Sequence, residues 1–521
     1  MAKRILGLSF PRSETSVLIF PVLLKVGLHL ASFARYGYFR DELYYIACSD
    51  RLALGYVDQP PLSIALLKLV RFVLGDSLFA IRLLPALAGV AAIILAGLMA
   101  RRLGGGRFAQ FLVALTVALA PVFLSNAGRY FSMNAFDIFF WAMAGYLVIR
   151  IVTTNAVKLW PVFGLVIGLG LLNKYSLGFF VIGLVVGLLL TSARRHLFTK
   201  RFWVGAAIAF LLFLPHVLWE VKTGFPTLEF MRNAARFKNM PLSPAAFLWE
   251  QVGEIGVAAA PIWIFGLLYY FFHKKGKSLR FLGWMFVTIL VIMMAQNAKA
   301  YYLSPIYPML LASGAVFFED LGRRGPWRWL KPATAALVVV GGLIFVPIAI
   351  PVLSLPAYLE YQDFLGFKPP QEERSELGIL PQHYADMFCW PEMAAKVAEI
   401  YERLSPEEQS ECMIYTRNYG EAGAIDFFGK KYDLPKAVCG HNNYWLWGYG
   451  GWKGKVAIIW GDSRDLQASR QDLERGFEQV ELAATTDCPF SMPYENSRGI
   501  FLCRRMKVSI KDIWPQERQY H

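Results

Sequence analysis

About 11 apolar stretches, most of them long enough to cross or nearly cross a bilayer, constrain this chain more than any other feature. They fall at 17–33, 78–99, 108–124, 138–152, 159–172, 177–190, 203–219, 247–272, 281–295, 302–318 and 333–353. A helix needs about 20 apolar residues to span the hydrocarbon core, and shorter ones need support from neighbours. The pair 159–190 is too long for one helix and tight for two. It reads as a close pair around Asn173-Lys174-Tyr175. Of 521 residues, 56% are hydrophobic and only 17% charged, more apolar surface than a soluble domain can hide. The expected class is a polytopic α-helical membrane protein.

The net charge of +15 is gathered in short clusters. Such clusters report orientation in a membrane protein, and no basic stripe with interleaved aromatics points to nucleic acid. The loops MAKR, ARRLGGGR, ARRHLFTKR, HKKGKSLR and GRRGPWRWLK are short and basic, and so predicted to be cytoplasmic. The loops 34–76, 125–137, 220–250 and 297–301, and everything after about 353, are longer or acidic and so predicted to lie outside. An odd number of crossings then puts the N-terminus inside and the C-terminus outside. The basic start MAKRILGLSFPRSETS has no small-residue cleavage pattern after it and reads as leading into an uncleaved first helix.

Composition changes near Pro356. The distal segment mixes charge and turns, with strand-like runs at 412–416, 455–460 and 499–503 and helical spacing at 391–404 and 464–475. The expected organisation is a transmembrane bundle over 1–353, including the first outer loop 34–76, and a periplasmic α/β domain over 354–521. Cys48 lies in the first outer loop, and Cys389, Cys412, Cys439, Cys488 and Cys503 lie in the last third. No CxxC spacing suggests zinc. Outside the cytosol, one or two disulfides are expected among them.

The polar residues beside the spans all fall on the predicted outer side. Asp41, Glu42, Asp58 and Gln59 occupy the first loop, GYFRDELYYIACSDRLALGYVDQPPL. Arg129 and Asp137 flank the second, and Lys174 tips the short pair. His216 and Glu220 end the seventh span, and Lys299, Tyr301 and Tyr302 open the tenth. A carboxylate can accept a proton from an attacking hydroxyl or amine. Cations can neutralise a departing phosphate. Singly, each residue has a plainer use. Asp41-Glu42 or Asp137 could cap a helix, Lys299 and Arg129 could snorkel, and Tyr301-Tyr302 could belong to an interfacial belt. Their common placement at one membrane face is the stronger signal.

The first outer loop, with its double acid and Asp58-Gln59-Pro60-Pro61, resembles that of bacterial family-39 glycosyltransferases. These are GT-C membrane enzymes related to protein O-mannosyltransferases and to the lipid A aminoarabinose transferase. FSMNAFDIFFWAM, GLGLLNKYSLGFF, FPTLEFMRNA, KAYYLSPIYPML, NYGEAGAIDFFG and GHNNYWLWG resemble the same family. The resemblance implies a GT-C fold and a polyprenyl-phosphate sugar donor. It also implies inversion at the anomeric carbon and a site between bundle and outer domain. It makes Asp41, with Glu42 beside it, the expected base or acceptor-positioning acid and Asp137 the second acid. Lys299, Tyr301 and Tyr302 become the expected donor-phosphate contacts, with Lys174 and Arg129 behind them. Asp58 and Gln59 are expected to line the site. The aminoarabinose transferase has an acid-Lys-Pro-Pro pattern where this chain has Gln59, which argues against a phosphate contact there and against aminoarabinose as the sugar. A divalent metal at Asp58 stays open, with no partner His evident.

The expected function is an inner-membrane transferase moving a sugar from a polyprenyl-phosphate carrier to a lipid or glycan acceptor, in preference to a protein. A transporter or flippase of a lipid-linked substrate is the alternative. It would show midplane charges and related halves, and neither is visible. A scaffold using Trp445, Trp447 and Trp452 to hold envelope partners is a third reading.

Overall fold

The computed structural model describes residues 15–323, 325–368, 374, 376–461 and 464–521. The basic start at 1–14 and Arg324 of the last basic loop lie outside the described residues. Contacts divide the chain into two compact units. Unit 1 holds Met1–Arg35, Phe79–Val217 and Pro241–Ser354. Unit 2 holds Tyr36–Leu78, Leu218–Met240 and Leu355–His521. The first outer loop and Leu218–Met240 thus group with the segment from Leu355 onward.

Unit 1 is helical. Among the described residues six helices are long and apolar enough to cross a membrane: Leu78–Arg102, Met133–Thr154, Lys200–Thr223, Lys274–Ala295, Ala300–Leu321 and Gly325–Ala349. The number rises to nine if each of three bent pairs is one span. Reaching the expected 11 also needs the shorter apolar helices Ser16–Ser32 and Val157–Leu171. Two stretches read as single spans are broken. The run at 108–124 bends by 62° at Ala120-Pro121, where proline cannot continue the preceding helix. The run at 247–272 bends by 112° after Ile255, where Gly256 takes φ +91°. That conformation strains any residue with a Cβ.

Lys200–Thr223 and Gly325–Ala349 leave most of their apolar side chains uncovered, as suits helices facing lipid. Close contact is made by small residues instead. A Cβ on Gly266 would run into the Leu310 carbonyl, and one on Gly314 into the Ile262 carbonyl. Ser313 Oγ donates to the Gly266 carbonyl at 3.0 Å in the same crossing. Helices in lipid associate by this kind of backbone proximity, since apolar burial gives little advantage there.

Unit 2 carries a five-stranded sheet in the order β2-β1-β3-β5-β4. The strands are β1 (Cys412–Thr416), β2 (Ala437–Cys439), β3 (Val456–Trp460), β4 (Phe477–Thr485) and β5 (Gly499–Met506). β1 runs parallel to β2 and β3, and β5 runs antiparallel to β3 and β4. The helices Trp390–Glu402 and Leu466–Gly476 match the expected helical runs. The helix Arg40–Asp50 is buried from Glu42 to Ser49 and packs on Tyr419–Phe428, so closely that a Cβ on Gly423 would meet the Leu43 backbone. Cys389 and Cys488 form a disulfide, and Cys48, Cys412, Cys439 and Cys503 are free and buried.

Gly314→Ala should weaken unit 1 by about 1–3 kcal/mol through overpacking at the helix crossing. A lower Tm for the purified protein in detergent checks it. Thiol counting gives a second check. Alkylation of the unreduced, denatured chain should modify four cysteines, and six after reduction.

Candidate functional site

Each unit gathers part of the expected constellation. In unit 1 the helix Met133–Thr154 begins at Ser132, whose hydroxyl accepts the Asn134 N–H at 3.3 Å. That cap sets the helical phase, so Asn134 and Asp137, three residues apart, share one face. Lys174 lies in the short break between the helices Trp160–Leu171 and Ser176–Leu189. Its Nζ donates to Asn134 Oδ1 at 2.7 Å and lies 3.6 Å from Asp137 Oδ2.

Asp137 is 1% exposed, and its other oxygen accepts the Ser176 hydroxyl, which in turn accepts the Trp141 indole N–H at 3.1 Å. The Lys174 ammonium also lies over two aromatic rings, 5.0 Å from the Tyr302 centroid and 5.7 Å from that of Tyr301. Those tyrosines sit in the tight turn Ala300–Ile306, directly after Lys299, whose carbonyl accepts the Tyr302 N–H at 3.1 Å. An ammonium has three donors. Asn134 and Asp137 engage two, so the 19%-exposed side chain keeps one direction open.

Arg129 ends the helix Pro121–Gly128, which packs against the same turn. Its guanidinium lies 5.3 Å from the Tyr130 ring centre, and its buried Nε has no hydrogen-bond partner among the described residues.

In unit 2, Asp41 and Glu42 are neighbours with different surroundings. Glu42 is fully buried, and its Oε2 accepts the Phe39 N–H at 2.8 Å, capping the helix it belongs to. The plainer capping use therefore describes Glu42. Asp41 is 28% exposed. Its Oδ1 accepts the Tyr419 hydroxyl at 2.9 Å and lies 3.5 Å from Arg40, while Oδ2 has no protein partner among the described residues. Arg40 is held in turn by Asp386 and Tyr494.

Asp58 lies within a tight turn in which the Tyr56 N–H donates to the Gln59 carbonyl at 3.0 Å. Its Oδ1 accepts the Tyr44 hydroxyl at 2.8 Å, and Tyr44 also reaches Asn443 Oδ1 at 3.2 Å. Burial pushes the Asp58 carboxyl up to about 6, against the Tyr44 hydrogen bond that favours the charged form. Gln59 is fully buried, with its amide nitrogen lacking a hydrogen-bond partner among the described residues.

Tyr419 follows β1, and Asn443 follows β2. The acids of unit 2 are therefore organised at the carboxyl ends of parallel strands, where open α/β sheets usually place ligands. The residues that sequence reasoning did not single out are Asn134, Trp141, Ser176, Tyr44, Tyr419 and Asn443. Several lie inside the quoted motifs, but nothing in composition marks a buried serine or tyrosine as the partner of a distant acid. Among the described residues no three His, Cys, Asp or Glu side chains gather in a way that could hold a metal ion. Asp58 is held by Tyr44 rather than by further ligands, so a divalent metal does not fit there.

Because Asp58 binds a proton more readily when folded than when unfolded, its contribution to stability is full below pH 4 and is lost as pH rises through about 6. Asp58→Asn should remove that loss. The difference in Tm between pH 5 and pH 7 should shrink by a few degrees relative to the parent chain in a thermal melt.

Comparison with known proteins places this architecture. Residues 58–219 match the family described as dolichyl-phosphate-mannose-protein mannosyltransferase. The chain is 28% identical over 298 residues to the lipid A galacturonosyltransferase RgtD of Rhizobium johnstonii, covering 56% of this chain and 62% of that protein. It is 26% identical over 323 residues to the lipopolysaccharide core galacturonosyltransferase RgtB of the same organism, covering 60% of each. The matches thus span less than two thirds of these relatives. The crystal structure of ArnT from Cupriavidus metallidurans bound to undecaprenyl phosphate aligns with a TM-score of 0.58 at 13% identity, over 93% of this chain and 97% of that one. The resemblance read from the sequence holds. This is a multi-span helical membrane protein with a GT-C fold, homologous to membrane glycosyltransferases.

Proposed function

We propose that this chain transfers a sugar from a polyprenyl-phosphate carrier to a lipid or glycan acceptor at the outer face of the bacterial inner membrane. The observation that carries the reading is the setting of Lys174. A carboxylate and an amide fix it, two tyrosine rings flank it, and one N–H is left over. That is what a site for a departing lipid phosphate needs, a cation oriented before charge develops. Asp137 acts by holding Lys174 in place, and Lys299, Tyr301, Tyr302 and Arg129 complete the phosphate surroundings. The relatives named as lipid A and lipopolysaccharide core transferases support a glycolipid acceptor over a protein.

In the proposed reaction the acceptor hydroxyl or amine attacks the anomeric carbon. The bond from that carbon to the phosphate oxygen breaks, and the phosphate leaves with the electron pair. The acceptor's proton passes to a carboxylate. Asp41, with one oxygen tied to Tyr419 and the other open, is the first candidate for that role. A second assignment has its own support. Asp58 has a carboxyl lifted to about 6, closer to the operating pH, which suits a general base with Asp41 orienting the acceptor. Short basic loops on the other side and the Cys389–Cys488 disulfide favour an N-terminus inside and residues 354–521 in the periplasm.

Purified protein in nanodiscs, supplied with a synthetic polyprenyl-phosphate sugar and an envelope glycolipid, tests the reading. Asp41→Asn should fold normally and lose transfer by at least a hundredfold, and turnover near that of the parent chain would remove Asp41 from the reaction. Asp58→Asn should flatten the acid limb of the pH–rate profile if Asp58 is the base. Otherwise it should leave that limb in place.

Lys174→Met strands the buried Asp137 and should cost about 3–5 kcal/mol of stability. The double change Lys174→Met with Asp137→Leu should restore the Tm but not transfer. Recovery of activity in the double variant would reduce the pair to a structural role.

A further inference from the structure

The sheet of unit 2 has a concavity at the opposite ends of the strands from the acids. It is a cleft of about 400 Å³ lined by the starts of β1 and β2, by Lys455 just before β3, and by the glycine-rich loop that follows the helix Asn443–Trp447. We infer that this cleft is a binding site for an anionic saccharide.

Its walls are aromatic. Trp447, Tyr449 and Trp452 are each half-buried, and the last two pack on the hydrophobic core of the sheet. Trp452 is fixed further by its indole N–H, which donates to the carbonyls of Glu411 and Val456 at 2.9 and 3.0 Å. Rings held by folding lose little freedom when a ligand stacks on them. The apolar C–H faces of a pyranose suit such rings, as they suit the rigid aromatic anchors of binding sites generally.

The charge is one-sided. Four cations line the cleft, Arg51, Lys436, Lys453 and Lys455, against one carboxylate, Glu411. Lys455 is paired with Glu411, and Lys436 lies 3.9 Å from Asp426. The other two have no ion-pair partner among the described residues. Arg51 is laid over Trp447, 4.4 Å from the ring centre, and Lys453 is exposed. An unpaired guanidinium with its fork of donors recognises a planar carboxylate or a phosphate.

The loop supplies the third element. Gly448, Gly450 and Gly451 all have positive φ, and none has another atom within 4 Å of where a Cβ would be. The Gly448 N–H closes the preceding helix on the Tyr444 and Trp445 carbonyls, so it is Gly450 and Gly451 that leave their backbone open to sugar hydroxyls.

The cleft is distinct from the surroundings of Asp41. Arg51 follows the helix that begins at Arg40-Asp41, so it lies ten residues from Asp41, or about 15 Å along the axis at 1.5 Å per residue. One sugar ring cannot touch both. A glycan that also reached Asp41 would therefore seat a remote portion of itself in the cleft. Its identity as part of an acceptor rests on the transferase reading, whereas its binding does not.

Saturation-transfer NMR on the full chain in nanodiscs separates the two. The probes are a glucuronic-acid-terminated disaccharide, glucose 6-phosphate, glucose, inorganic phosphate and adenosine monophosphate. The acidic sugars should receive saturation, and the stronger of the two identifies the preferred anion, carboxylate or phosphate. The signal should fall at least fivefold in Trp447→Ala and in Lys453→Glu, the latter an exposed position whose change should leave the fold intact. It should persist in Asp41→Asn even though that variant lacks transfer. The inference is overturned if glucose binds as well as the acidic sugars, if inorganic phosphate displaces them at equal concentration, or if adenosine monophosphate binds more tightly. An undiminished signal in Lys453→Glu also overturns it.

Discussion

The ion pair between Lys174 and Asp137 is the interaction on which the account of the helical unit depends. A carboxylate at 1% exposure has lost its water and must be compensated by its neighbours. Lys174 and Ser176 do so, and the arrangement forces their short interhelical break against the first turns of Met133–Thr154. Buried pairs rarely add net stability, because desolvation offsets most of the Coulomb gain. Their retention is better explained by what the fixed cation can do. With Asn134 on one side and the tyrosine rings of the Ala300–Ile306 turn on another, Lys174 is oriented without being saturated.

Unit 2 solves a different problem. Its acids have separate tasks imposed by burial rather than by residue type. Glu42 is consumed in capping, Asp41 keeps an oxygen open, and Asp58 is lifted toward neutrality. Tyr419 and Asn443 bring those tasks to the carboxyl ends of β1 and β2. The helix Arg40–Asp50 thereby becomes part of the α/β architecture, although more than 300 residues separate it from the strands. The opposite ends of the same strands carry the aromatic and cationic cleft, so one small sheet presents two chemically different ends.

Much of this was legible in the sequence, for physical reasons. Apolar length marks helices in lipid directly, and charge alternation marks loops. The strands at 412–416 and 499–503 were visible because buried strands read as short apolar runs. β2 was not, being only three residues long, nor was β4, whose burial pattern does not alternate cleanly. The breaks at Pro121 and Gly256 were hidden inside continuous hydrophobic runs, because hydropathy carries no information about φ. Among site residues, Asp41, Asp137 and Lys174 stood out as charges beside spans. Sequence cannot say which lysine, Lys174 or Lys299, meets the buried acid; the structure places Lys174 there. The capping duty of Glu42 was foreseeable in kind, but choosing between two adjacent acids needed the helix phase.

The central claim is that Lys174 receives the phosphate of a lipid carrier. Photocrosslinking with a polyprenyl phosphate bearing a diazirine next to the phosphate, followed by peptide mapping, tests it most directly. The label should fall on the peptides carrying Lys174 and Tyr301-Tyr302, and excess unlabelled polyprenyl phosphate should suppress it. Labelling confined to the lipid-facing helices Lys200–Thr223 and Gly325–Ala349, with those peptides untouched, would contradict the account.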